Sequence, residues 1–271
     1  MAGPFAHRNH LVRRLQRETQ SMFSPALRHR QKVLARQAGK PVDGDKKAPL
    51  AAPSADTQAG QEYAALKVLL HDNLRTLADT ASIEARNPKK AEMAKAFSDW
   101  IEGVLKAGEH GQAAQDEILV TNMIWAIDYR DFDYALRLAA HVLKFNLVLP
   151  ERYNRTPACF VAEEIATVAL ANHEAVTLEQ LVQTRALVEG ADMPDQAMAK
   201  LHKAIGRAYE RKAEAFDPAS ENVPAGGKAA YLDEALTHCC RALELDHNAG
   251  VKKDIERLQR ALKAASEPEQ E

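Results

Sequence analysis

The residues in this 271-residue chain best equipped for chemistry are acidic and close together: Asp128, Asp131 and Asp133, between two apolar stretches. Two-metal cleavage of a phosphodiester needs carboxylates converging on ions roughly 4 Å apart. A turn between helices uses the same residues as caps, and the local pattern fits that bland role. Asp131 stands where it caps a following helix, with Asp133 in the first turn, where the helix dipole favours an anion. Glu163 and Glu164 are neighbours on a helix, so at most one is expected to face a shared site. His71-Asp72 has the composition of a phosphohydrolase metal pair, but it stands alone on an amphipathic helix, where surface charge suffices. His238, Cys239 and Cys240 offer ligand types without ligand spacing. Gly226-Gly227-Lys228 lacks the earlier glycine and the following hydroxyl of a phosphate-binding loop, which argues against ATP hydrolysis. The residue pattern assigns neither a catalytic residue nor a metal-ligand set.

Charge is more informative. The net charge of −2 divides unevenly: the residues through Arg36 carry +7, leaving −9 for the remainder. Arg13, Arg14 and Arg17 fall on one short helical stretch, residues 8 to 20. Arg28, Lys32 and Arg36 recur every four residues on a second helix, expected to begin with Ser24 as cap and Pro25 at its first position. With Arg30 these are the candidate DNA contacts, since each phosphate neutralised releases counterions and makes binding salt-dependent. A solvated basic arm is the competing account.

The elements that must position these residues are helical throughout. Apolar residues recur at three- and four-residue spacing, and no stretch alternates as a strand would. Ala113–Leu147 predicts a helical hairpin at the centre of the core. Its first helix is apolar nearly all round, and its second has one polar stripe of Arg137, His141 and Lys144 that is expected to face solvent or a neighbouring subunit. A helix is expected over residues 91–105, with the Asn87-Pro88 step ending the one before it. Thr177 predicts a cap, and Met193-Pro194-Asp195 a helix start. The expected fold is an all-α multi-helix bundle of antiparallel hairpins. It divides into a basic N-terminal helical arm (1–36), a Pro/Ala/Gly linker (37–60), a helical core (61–212), a tetratricopeptide-like C-terminal hairpin (213–264) and an acidic tail (265–271). The hydrophobic content of 46% and charged content of 27% are those of an ordinary soluble globular protein, and no apolar run spans a bilayer. The N-terminus lacks the apolar stretch of a secretory signal, and the three cysteines suit a reducing cytosol better than a disulfide framework.

Several phrases carry more when taken together: Ser24-Pro25-Ala26-Leu27-Arg28-His29, Gln115-Asp116-Glu117-Ile118-Leu119, Arg155-Thr156-Pro157 and Phe160-Val161-Ala162-Glu163-Glu164. Asp192-Met193-Pro194-Asp195, Lys200-Leu201-His202-Lys203 and Gly250-Val251-Lys252-Lys253 complete the set. In this order and spacing, from about Ser24 to Leu262, the chain resembles the small terminase subunit family of P2-like tailed bacteriophages and prophages. The resemblance implies genome packaging in the cytoplasm of a bacterial host. Such a subunit binds double-stranded phage DNA at the cohesive-end site, assembles as a homo-oligomer, and hands the DNA to the ATP-hydrolysing large subunit. It also implies a part in the endonucleolytic cut, with Asp128 and Asp131 matching acidic positions of the family pattern and Asp133 not. No nuclease motif accompanies them. No firmly bound cofactor is expected, and Mg²⁺ enters only if the cutting centre lies in this chain. Many relatives end in a basic tail where this chain has Ser266-Glu267-Pro268-Glu269-Gln270-Glu271, which shifts DNA contact toward the N-terminal arm. The reading from another class is a non-enzymatic helical scaffold that binds protein partners through the tetratricopeptide-like hairpin.

Overall fold

A computed structural model describes residues 25–38, 52, 54, 56–111, 113–217 and 226–266, and all regular secondary structure among them is helical. Arg13, Arg14, Arg17 and the helix expected over residues 8 to 20 lie outside the described residues, as does the side chain of Arg36. The chain forms two compact units. One holds the described residues up to Tyr129 together with Lys144–Pro150; the other holds Arg130–Leu143 and the residues from Glu151 onward.

The first unit contains α1 (Pro25–Ala38), α2 (Gln58–Ala78), α3 (Ile83–Ala94), α4 (Ser98–Glu109) and α5 (Glu117–Asp128). Helix α2 starts earlier than the apolar pattern suggested, because Thr57 caps it by accepting the Gly60 N–H at 3.0 Å. Helix α3 runs through Pro88 instead of ending before it. The proline removes one N–H, but Pro88 and Glu84 are both exposed, so water reaches the carbonyl left without a donor. The helix expected over 91–105 is interrupted by a 3₁₀ turn at Lys95–Phe97, after which α4 resumes. Phe97, Trp100, Ile101, Ile118, Leu119 and Met123 are wholly buried, and the Phe97 and Trp125 rings meet edge to face at 6.4 Å. Ile118 through Ile127 are buried without a break, the all-round burial that the composition of α5 predicts.

The second unit contains most of α6 (Phe132–Lys144), followed by α7 (Pro157–Ala171), α8 (Leu178–Leu187), α9 (Asp195–Glu214), α10 (Gly227–Leu245) and α11 (Lys252–Ser266). The stretch expected to be one central hairpin thus contributes a helix to each unit, with Arg130 at a φ of +69° between them. Asp131 caps α6 as expected, accepting the Tyr134 N–H at 3.2 Å. Of the polar stripe on α6, Arg137 and Lys144 are exposed and His141 is buried. Thr156 caps α7 with Pro157 at its first position, and Thr177 caps α8 in a capping box with Gln180. Helix α9 packs on α7, α8 and α10, and α11 closes on α10. Ala213, Leu232, Ala235, Cys239, Ala242, Val251 and Leu258 form the core there.

Candidate nucleic-acid interface and neighbouring polar clusters

Helix α1 owes its position to a face of small residues. Leu34 and Ala35 are buried, and α4 presents Gly103 to them so closely that a Cβ there would lie 2.5 Å from the Ala35 Cβ. This close approach sets the basic edge of α1 beside α4. Asp99 receives both of its nearer cations, Lys32 Nζ at 3.1 Å and Arg28 Nε at 3.7 Å. Arg28 and Arg30 are exposed and Lys32 is half-buried. The period-four spacing of Arg28 and Lys32 therefore becomes one physical edge, and Asp99, 67 residues beyond Lys32, had no local signal to link it to them. The two cations are about half exposed, whereas the Asp99 side chain is only 14% exposed, so the pairing is part-buried on the carboxylate side.

The acidic residues are occupied in other ways. Asp128 takes the ammonium of Lys90 at 2.7 Å, and its carbonyl accepts from Asn87 at 2.8 Å. Asp133 accepts from Gln180 Nε2 at 2.8 Å, and Asp131 is spent as a cap. Among the described residues no three His, Cys, Asp or Glu side chains are grouped to hold a metal ion. Each carboxylate of the turn is thus held by a partner of its own. His71 Nε2 lies 3.2 Å from Glu117 Oε1, and Lys67 Nζ lies 2.6 Å from Glu117 Oε2. Partial burial works against ionisation of Glu117, but the hydrogen bonds from Lys67 and His71 outweigh it and hold the carboxyl below its usual range. His71 is thus part of a surface network, and Asp72 pairs loosely with Arg75 at 3.6 Å.

The short phrases singled out in the sequence turn out to meet one another. Arg155 donates to Glu163 and Glu164 at 2.7 Å each and lies 5.0 Å over the Phe160 ring, while Lys200 reaches Glu163 at 3.0 Å. Adjacent glutamates on a helix were expected to diverge. The planar guanidinium fork reaches both. The Lys200 hydrogen bond is the main reason that Glu163 ionises more readily than usual.

One pair was missed altogether. His202 on α9 and His238 on α10 bring their Nδ1 atoms to 2.9 Å, at the wall of a cleft of about 850 Å³ lined also by Arg185, Glu234 and Arg241. At that distance one ring donates and the other accepts, so at most one of them can carry a charge. Burial pushes each pKa down to about 4, and for His202 the neighbouring His238 and Arg185 add to the effect. Because the unfolded chain protonates first, near pH 6.5, this contribution to stability is complete above that pH and drains away as pH falls toward 4. Allowing for solvent in the cleft, the loss is expected to be on the order of 2 kcal/mol. Urea midpoints measured from pH 7 to pH 4.5 should fall more steeply for the wild type than for a His202→Gln/His238→Gln variant. Parallel curves would refute the assignment.

Comparison with known proteins adds context to this geometry. Residues 67–196 match the family model described as phage small terminase subunit. The chain is 38% identical over 251 residues to the "Terminase, endonuclease subunit" of Escherichia phage P2, covering 92% of this chain and 89% of that protein. It is 26% identical over 215 residues to the "Probable terminase, endonuclease subunit" of Haemophilus phage HP1, covering 78% and 74% respectively. No solved structure matches it.

Proposed function

The chain belongs to the phage small terminase subunit family, and from that premise we propose that it binds viral DNA at the cohesive-end site, takes part in its endonucleolytic cleavage and delivers it to an ATP-hydrolysing large subunit. The observation that carries this reading is the 38% identity extending over 89% of the phage P2 endonuclease subunit. DNA packaging is the role that family membership supports. The +7 charge of the first 36 residues supplies a physical means of holding DNA within an otherwise acidic chain. Arg13, Arg14, Arg17, Arg28, Arg30, Lys32 and Arg36 are the contacts assigned to it. A homo-oligomer in the host cytoplasm is part of the same proposal. Among the described residues no helix is long and apolar enough to cross a membrane.

Two measurements test it. The full chain should bind a linear duplex carrying the cohesive-end region with strong salt dependence. An Arg28→Ala/Arg30→Ala/Lys32→Ala variant should lower the magnitude of the slope of log K against log salt by about 3, one for each phosphate released. An unchanged slope would remove α1 from the interface. The second is cleavage of a plasmid carrying that region, with Mg²⁺, by this chain alone and then with the large subunit and ATP. Site-specific cutting by the chain alone puts the nuclease centre here and makes Asp128 and Asp131 the first residues to replace. Cutting that needs the large subunit makes this chain the recognition partner. The absence of both binding and cutting under all of these conditions would overturn the proposal.

A further inference from the structure

Two of the phrases singled out in the sequence, Lys200-Leu201-His202-Lys203 and Gly250-Val251-Lys252-Lys253, converge at the start of α11 in the second unit. Lys203 Nζ donates to the Ala249 carbonyl at 2.7 Å, and a Cβ on Gly250 would meet the same ammonium at 3.4 Å. Arg207, one turn further along α9, reaches Asp254 at 3.0 Å. Four cations, Lys203, Arg207, Lys252 and Lys253, thus gather around one helix start, in a part of the chain whose net charge is −9.

Two of the nearby carboxylates are committed, and a third, Glu256, is exposed one turn further along α11. Asp254 is buried between Arg207 and Arg257, and Asp246 accepts the Asn248 N–H at 2.9 Å to close the turn that leads into α11. Lys252 and Lys253 are exposed and have no hydrogen-bond or ion-pair partner among the described residues. They also occupy the first turn of α11, where the positive end of the helix dipole repels a cation. Burial first, and then the charge of Arg207, hold the Lys203 ammonium below its ordinary pKa. These two lysines oppose the dipole of their own helix and, among the described residues, bond to nothing. An external anion reverses that balance.

We propose that Lys252 and Lys253, backed by Lys203 and Arg207, form a second contact surface for the backbone phosphates of duplex DNA, separate in sequence from the basic N-terminal segment. The proposal rests on the DNA-binding reading above. Adjacent lysines on a helix diverge by about 100°, which suits two phosphates along a strand better than a single point anion. Lysine in this role contributes charge without base recognition, so the surface adds affinity and salt dependence without sequence preference.

The test uses the full chain and a labelled linear duplex, with affinity measured over a range of KCl. Lys252→Ala/Lys253→Ala should lower the magnitude of the salt slope by roughly 2 and weaken binding at 0.1 M salt on the order of tenfold. Lys252→Arg/Lys253→Arg should retain the wild-type slope. The Ala variant should melt at or above the wild-type temperature, because it removes two cations from the positive end of a helix. If the Ala variant keeps the wild-type slope while the Arg28/Arg30/Lys32 variant loses part of it, this surface is not at the DNA and the DNA-binding reading stands. If the wild type shows no salt-dependent binding to duplex DNA, both fall together.

Discussion

Replacing Asp116 with alanine is expected to destabilise the first unit by about 3 kcal/mol. The Asp116 carboxylate accepts the N–H groups of Ile118 and Leu119 at 2.8 and 3.0 Å, capping α5, and its other oxygen accepts the indole N–H of Trp100 at 2.7 Å. Trp100 is fully buried and stacks on Tyr63, whose hydroxyl in turn accepts the Glu117 N–H at 3.0 Å. Losing a cap costs about 1 kcal/mol, and stranding a buried donor costs about 1–3 kcal/mol. Burial holds the Asp116 carboxyl above the usual range, so at neutral pH part of the gain from three hydrogen bonds is offset by desolvation of the charge. That offset is why the expected loss is not larger. Asp116→Asn should be milder, since its amide oxygen still caps the helix and only the indole loses its acceptor. Trp100→Phe should cost less in the Asp116→Ala background than in the wild type, because the orphaned donor is then gone. Urea unfolding of the wild type, the three single variants and the Asp116→Ala/Trp100→Phe double variant measures all of this. A loss below 1 kcal/mol for Asp116→Ala would mean that the carboxylate does not join α4 to α5.

Gln115-Asp116-Glu117-Ile118-Leu119 was conspicuous in the sequence for its family resemblance, and its physical role explains the residue types: one acid caps and anchors, the next gathers Lys67 and His71. What could be read in advance was local. Asp131, Thr177 and the start at Asp195 all depend on residues within one turn of a helix end, so spacing alone exposes them. The apolar face of α9 was legible because Ala197, Leu201, Ala204, Ile205 and Ala208 follow the helical period, and all are buried. Pro88 misled because a proline's effect depends on whether water can reach the carbonyl one turn back, and that is a property of the fold. The polar clusters were hidden for a related reason. Glu163 with Lys200, His202 with His238, and Lys203 with Ala249 join residues 36 to 46 positions apart, beyond any periodicity. The basic edge of α1 was legible as a pattern, but its partner Asp99 was not. The phrases of resemblance anticipated which residues would matter without indicating which would meet.

Gly206→Leu is expected to be at least as damaging, by about 3 kcal/mol or more, and to act on the histidine pair at the same time. Gly206 lies on α9 where it crosses α10. A Cβ there would stand 2.7 Å from Cys239 Sγ and 3.1 Å from the Ala235 carbonyl oxygen. The cysteine is wholly buried, which leaves its thiol little room to swing aside. Alanine at this position would gain up to about 1 kcal/mol of helix propensity over glycine, which sets a sharp sign test. If the two helices are as close as their atoms require, Gly206→Ala destabilises in spite of that gain. Adding Cys239→Ala should then recover part of the loss by removing the nearest atom. His202 sits one turn before Gly206 and His238 immediately before Cys239, so any spreading of α9 from α10 must lengthen the 2.9 Å contact between the rings and admit water. Their pKa values, held near 4 by burial, should climb toward the ordinary value of about 6.5 in Gly206→Ala, which proton NMR titration would detect. A stable Gly206→Ala protein with unmoved histidines would show that the helices have slack. A destabilised one with raised histidine pKa values would tie the packing of a single glycine to the electrostatics of the cleft.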